Sequence, residues 1–189
     1  MTPAGVPLFP LNAVLFPGGL LPLRLFEQRY LEMAKACLRE GSPFGVCLIR
    51  EGAEVGAPAT PWEVGCLARI VQWDMPQLGL LQVMARGERR FRVLERSVQP
   101  DGLSRASIEL LAEDADAPVT GAASRCVTLL ERIIEQHPAA FEQPHRLDSS
   151  AWVSARLAEM LPLPLAAKQR LLELDGADRL EALRRLVAD

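Results

Sequence analysis

The residues of this 189-residue chain whose types could do chemistry are two lysines, two histidines, four cysteines and a run of arginines. Lys35 and Lys168 both follow alanine, so no Gly-Lys pair exists to complete the phosphate-cradling loop G-x-x-x-x-G-K-[ST]. Both fall in stretches of helical spacing, and no serine lies in a motif that would let either lysine activate it as a nucleophile. His137 and His145 flank the segment Pro138–Pro144. Imidazoles titrating near neutral pH could form a metal pair or an acid–base couple there, but a helix C-terminal His137 and a loop His145 are the favoured reading. Glu51, Glu54, Glu63 and Asp74 stand in loops or at strand ends with no carboxylate partner at a telling spacing. Cys37, Cys47, Cys66 and Cys126 lie far apart, without a C-x-x-C pair or a nearby histidine, which argues against zinc. Three of them sit in apolar runs and read as buried, reduced thiols. No cofactor or metal is expected, and the chain reads as non-enzymatic.

What remains is surface. Arg86, Arg89, Arg90 and Arg92, with Arg96 beyond them and Phe91 inside, could grip phosphates and stack on bases. Glu88 and Glu95 within the cluster and the net charge of −3 argue against nucleic acid and for a solvated strand face. Trp62, Trp73, Met75 and Leu78 bring more apolar area to a proline-rich loop and a turn than a core needs. They are the candidate partner-binding residues. Neither a basic opening in Met1–Gly5 nor an apolar run approaching the ~20 residues of a membrane span is present, so the cytoplasm is the expected compartment.

Elements must position these residues. Val6–Leu11 is apolar but broken by Pro7 and Pro10, as in an edge or bent strand. Phe16-Pro17-Gly18-Gly19 forces a turn into a second apolar run, Leu20–Phe26. Tyr30, Leu31, Ala34 and Leu38 then recur at helical spacing, and Gly41 supplies the stop. Phe44–Ile49 and Glu63–Trp73 read as strands on either side of a loop at Glu51–Pro61. The second carries apolar residues on both faces, as a small barrel would require. Asp74-Met75-Pro76-Gln77 reads as a turn, Leu78–Ala85 as the returning strand, Gly87 as a break before Glu88–Arg96, and Arg105–Leu111 as a last strand. After a linker at Glu113–Gly121 the period becomes helical. Val127, Leu130, Ile133 and Ile134 form one stripe, and Val153, Leu157, Met160 and Leu161 a second, with Asp148, Ser149 or Ser150 as N-cap. Lys168–Leu174 and Leu180–Val187 follow, the last striped by Leu180, Leu183, Leu186 and Val187.

The run from Val6 to Tyr30, with its Phe16-Pro17-Gly18 turn, Leu21-Pro22-Leu23 and Phe26-Glu27-Gln28-Arg29-Tyr30, resembles the amino-terminal, substrate-binding domain of Lon-type ATP-dependent proteases. Matching pieces follow in order: Phe44–Ile49, Glu63–Ile70, Val83–Phe91, Leu161-Pro162-Leu163 and Lys168-Gln169. The likeness is strongest to small stand-alone proteins with that domain only. One departure is Pro164, where related chains often place a hydroxyl N-cap. The resemblance implies an α+β chain: a PUA-like β pseudobarrel of about six short strands and one helix over residues 1–115, then a small helical bundle over 116–189. It also implies a non-catalytic module that binds exposed apolar segments of client polypeptides. RNA or ribonucleoprotein binding through the arginine strand is the alternative. Arg24 and Glu27, in the signature run, read as structural, paired with each other or with Arg29.

Overall fold

The computed structural model describes residues 5–188, so Met1–Ala4, whose lack of basic residues carried the expectation of a cytoplasmic chain, lie outside the described residues. Seven strands and one helix come first. They are β1 (Val6–Leu11), β2 (Leu20–Leu25), α1 (Gln28–Glu40), β3 (Phe44–Glu51), β4 (Thr60–Pro61), β5 (Val64–Gln77), β6 (Leu80–Val98) and β7 (Ser104–Leu110). Four α-helices follow: α2 (Ser124–Gln136), α3 (Ser150–Met160), α4 (Leu165–Glu173) and α5 (Gly176–Ala188). The chain is thus a mixture of α and β, divided into one unit ending at Leu111 and a second beginning at Ala112. No described helix is long and apolar enough to cross a membrane.

In the first unit β1 pairs with β7, β7 with β6, β6 with β5 and β5 with β3, all antiparallel, and β3 returns in parallel to β1, closing the circuit. β1 is therefore not an edge strand. Its prolines are accommodated because β7 neighbours it at Val6–Pro7 and β3 at Leu8–Leu11, leaving one strand neighbour at each residue. Leu8, Cys47, Leu67, Phe91 and Ala106, one from each of the five strands, form a single buried cluster. Room for the Phe91 ring is made by glycine: a Cβ on Gly45 would lie 2.7 Å, and one on Gly65 2.8 Å, from its Cζ. A larger cluster packs Tyr30, Leu31, Met33, Ala34 and Cys37 of α1 against strand residues including Phe9, Phe44 and Val83. Gly41 ends α1 in the left-handed conformation, φ +64°, as its sequence position implies.

Three local expectations change. Residues 74–77 belong to β5, and the turn lies at Leu78-Gly79, where Gly79 has φ +82°. The two-residue β4 pairs with β3 inside the stretch read as loop, raising the strand count from about six to seven. Gly87 does not break β6: its missing side chain lets the Phe16 carbonyl approach, while Gly87 N–H donates to Gly19 O and Gly18 N–H to Gly87 O, both at 2.8 Å. The strand runs through the glycine because the Phe16–Gly19 turn lies against it.

In the second unit Ser149 is the α3 cap, its hydroxyl accepting from Trp152 N–H at 3.1 Å. Pro164 precedes α4 with no side-chain cap, as read. The buried stripe of α2 is Cys126, Leu130 and Ile134, rotated slightly from the expected one. In α5, Leu186 is half exposed and Arg179 is fully buried instead. The last carbonyls of α4 explain this. Arg179 Nε donates to Leu171 O and Nη2 to Leu174 O, both at 2.9 Å, while Nη1 reaches Asp114 Oδ2 at 2.9 Å. Asp114 and, through Ser149 Oγ at 2.6 Å, Asp116 tie the linker into this unit.

Candidate functional site

The residues around the β2–α1 junction enclose an apolar cleft of about 320 Å³. Its floor is built by Phe9 and Leu11 of β1 and Tyr30 of α1, with the Phe9 and Tyr30 rings edge to face at 4.4 Å. One wall is an unbroken run from Leu21 to Glu27, and the other carries Glu54 and Val55 of the β3–β4 loop. At the mouth, Phe26 is 55% and Val55 56% exposed, so apolar area continues from the lining to the surface.

Arg29 holds this geometry. Its buried guanidinium donates from Nη2 to Gly56 O at 2.8 Å and from Nη1 to Gly102 O at 3.1 Å, pairs with Glu27 at 3.0 Å, and lies 4.7 Å over the Tyr30 ring. The loop bearing Val55 is thereby fixed to the first turn of α1. A second tie is Asn12 N–H, which donates to Glu54 Oε1 at 2.7 Å. Burial pushes the Tyr30 phenol above its ordinary range, so it stays neutral at the cleft floor. Walls that are mostly apolar can hold aliphatic or aromatic side chains.

Trp73, Met75 and Leu78 come together at the β5–β6 hairpin end. Trp73 is 56% and Leu78 97% exposed, and Met75 is half exposed. Trp73 opposes Val83, which opposes Leu23 of β2, so one row crosses three strands, buried at Leu23 and Val83 and open at Trp73. Trp62 does not join them. It is half buried beside β4, its main-chain N–H donating to Leu48 O at 2.8 Å, beyond the far end of β5, whose run from Val64 to Trp73 alone spans roughly 30 Å at strand rise.

The arginine run is dispersed. Arg86 is exposed, Arg89 donates to Leu111 O at 3.0 Å, Arg90 is buried and Arg92 lies 3.9 Å from Glu63. No continuous basic face results, and RNA binding has no structural support. Lys35 pairs with Glu32 at 2.9 Å and Lys168 Nζ donates to Glu159 O, burial drawing the latter's pKa down. His137 ends α2, while His145 packs between Phe141 and Trp152. All four cysteines are buried, and none is in a disulfide. Of the signature pairings, Glu27–Arg29 forms. The cleft itself was not expected from sequence. Its one local signal was Phe26, an aromatic residue ending an apolar run just where the chain turns into a helix.

A family model described as the ATP-dependent protease La (LON) substrate-binding domain matches residues 5–189. The Lon protease of Anaeromyxobacter dehalogenans is 30% identical over 180 residues, which are 90% of this chain and 21% of that protein. Protein cereblon of Gallus gallus is 30% identical over 112 residues, 57% of this chain and 24% of that one. The chain spans about a fifth to a quarter of the length of the curated relatives it matches. Among solved structures, a Lon N-terminal domain protein from Xanthomonas campestris superposes with TM-score 0.80 at 38% identity, covering 95% of this chain and 96% of that one. The N-terminal domain of Mycobacterium avium complex Lon protease, at 20% identity and TM-score 0.71 over 98% of both chains, shares the fold.

Proposed function

Because the chain belongs to the family of Lon protease substrate-binding domains, we propose that it binds exposed apolar segments of polypeptides in the cleft between β1, β2 and α1, by burial alone and without covalent chemistry or a cofactor. The observation that carries this reading is the cleft of about 320 Å³, with apolar walls and Phe26 and Val55 left uncovered at its mouth. That volume is at the lower end of ligand sites, about 300–1,000 Å³, and suits a few side chains of an extended segment. Trp73, Met75 and Leu78 offer such a segment a second apolar contact at the hairpin end. On this reading the closed strand circuit is a PUA-like pseudobarrel and the second unit a small helical bundle.

The test is fluorescence anisotropy with a labelled decapeptide alternating leucine and serine between terminal lysines. Phe26→Asp and Val55→Asp place charge at an already exposed mouth and leave the core intact; each is expected to weaken binding at least tenfold. Trp73→Ala with Met75→Ala is expected to weaken it about threefold. Unchanged affinity in both cleft variants would move the site elsewhere, and no binding by the unaltered chain would end the reading.

A further inference from the structure

β2 pairs with β6 and with no other described strand. Its register is unbroken from Leu20↔Arg86 to Leu25↔Leu81. Just before it, Gly87 N–H donates to Gly19 O, so the carbonyl of residue 19 faces β6, while its N–H donates to Phe16 O within the turn. Alternation then turns residues 21, 23 and 25 toward β6 and residues 20, 22 and 24 away from it. Pro22 fits this phase, because a proline within a strand is tolerated where its nitrogen points out of the ladder. Leu20 therefore presents an N–H and a C=O outward, Pro22 a C=O, and Arg24 an N–H and a C=O. The cleft wall runs without a gap from Leu21 through Leu25, so the backbone edge itself, and not one face of the strand, borders the cavity.

We propose that the polypeptide bound in the cleft is an extended strand that adds to the open edge of β2, hydrogen-bonding through its main chain to Pro22 O and to both polar groups of Arg24. This rests on the reading of the cleft as a polypeptide site. The occupant follows from the edge: alternating amides and carbonyls at strand spacing are matched by another strand's backbone and by no side-chain array. Alternate residues of the incoming strand face Phe9, Leu11 and Tyr30 and must be apolar, while those between face away from the cleft floor. Selectivity is thus for a period of two in hydrophobicity with free amides at the donating positions, and not for any particular residue. Pro22 keeps the edge from being a full template, which limits unselective pairing.

The experiment is a backbone N-methylation scan of the same labelled decapeptide, read by anisotropy against the full chain. Methylation is expected to weaken binding about three- to tenfold at alternate positions and little at those between, since each lost main-chain bond has that effect on affinity. Arg24→Pro, which removes the outward N–H, is expected to bind about three- to tenfold more weakly than Arg24→Ala, with unchanged circular dichroism. Pro22→Ala, which adds an outward donor, tightens the complex. A scan without alternation overturns strand addition; if Val55→Asp still weakens binding, the cleft stands as a polypeptide site with another mode. Absence of binding overturns both. A concentration-dependent dimer lost in Arg24→Pro, with peptide affinity equal to that of Arg24→Ala, would make the edge an interface between copies and overturn the proposal.

Discussion

Arg29 is the residue on which the cleft depends most. Its guanidinium joins Glu27, the Gly56 carbonyl and the Gly102 carbonyl while buried, so truncation strands a carboxylate and two carbonyls. Arg29→Met keeps the stem's packing and removes the charge. It is expected to cost about 3 kcal/mol in urea denaturation, as breaking buried pairs does, and to weaken peptide binding by releasing the loop that bears Val55. Full affinity in this variant would show that the loop needs no such tie. Cys47 gives a second residue-level expectation. Burial among the strands of the first unit pushes its thiol from the ordinary 9.0 up to about 12. A folded pKa above the unfolded one contributes stability that is fully present below about pH 9 and is lost progressively toward pH 12. Below that window the native protein should resist iodoacetamide at Cys47 and take up label there once unfolded in urea, as read by peptide mass. Rapid native labelling would contradict the packing.

At the scale of elements, the Phe16–Gly19 turn and β6 are one device. The turn's two main-chain bonds to Gly87 set where β2 starts, and the start fixes which of its backbone groups face the cleft. A Cβ on Gly87 would meet the Phe16 carbonyl and come 3.2 Å from Leu15 Cγ. Gly87→Ala is therefore expected to cost about 1–3 kcal/mol, the usual penalty of overpacking, and to lower peptide affinity through β2. A melting temperature equal to the parent's would refute that coupling. The turn, β2, α1 and its glycine stop were legible because each is dictated by neighbours a few residues apart. The long β5–β6 hairpin was not. Asp74-Met75-Pro76-Gln77 has turn chemistry, and Gly87 has breaker chemistry, yet cross-strand pairing with Gln82 and Leu80 holds the first in β5 and a close turn explains the second. The same limit hid the cleft. Phe9, Leu23, Tyr30 and Val55 are brought together by register and by Arg29, neither of which leaves a spacing in the sequence. Trp73, Met75 and Leu78 were legible as exposed because they fall within six residues of chain near a hairpin end, whereas Trp62 was grouped with them by residue type and the strand between them carries it away.

For the whole molecule, the family match runs over both units, while every described wall of the cleft belongs to the first. The second unit has its own anchor in Arg179, whose three guanidinium nitrogens are engaged by Leu171 O, Leu174 O, Asp114 Oδ2 and, at 3.5 Å, Ser154 Oγ. Asp114→Ala removes a carboxylate from that buried guanidinium, and about 3–5 kcal/mol of stability should be lost from residues 112–188. Peptide affinity should remain within about twofold, since no cleft group depends on the pair. Amide exchange by NMR separates the two effects. Saturating peptide should slow exchange at Arg24, whose N–H faces away from β6, and leave Leu21, Leu23 and Leu25 near their already protected rates. Asp114→Ala should speed exchange in α4 and α5 and leave the peptide-induced pattern at β2 intact. Loss of peptide binding in Asp114→Ala, with the amides of β2 and β6 still protected, would mean that the recognition surface extends past Leu111.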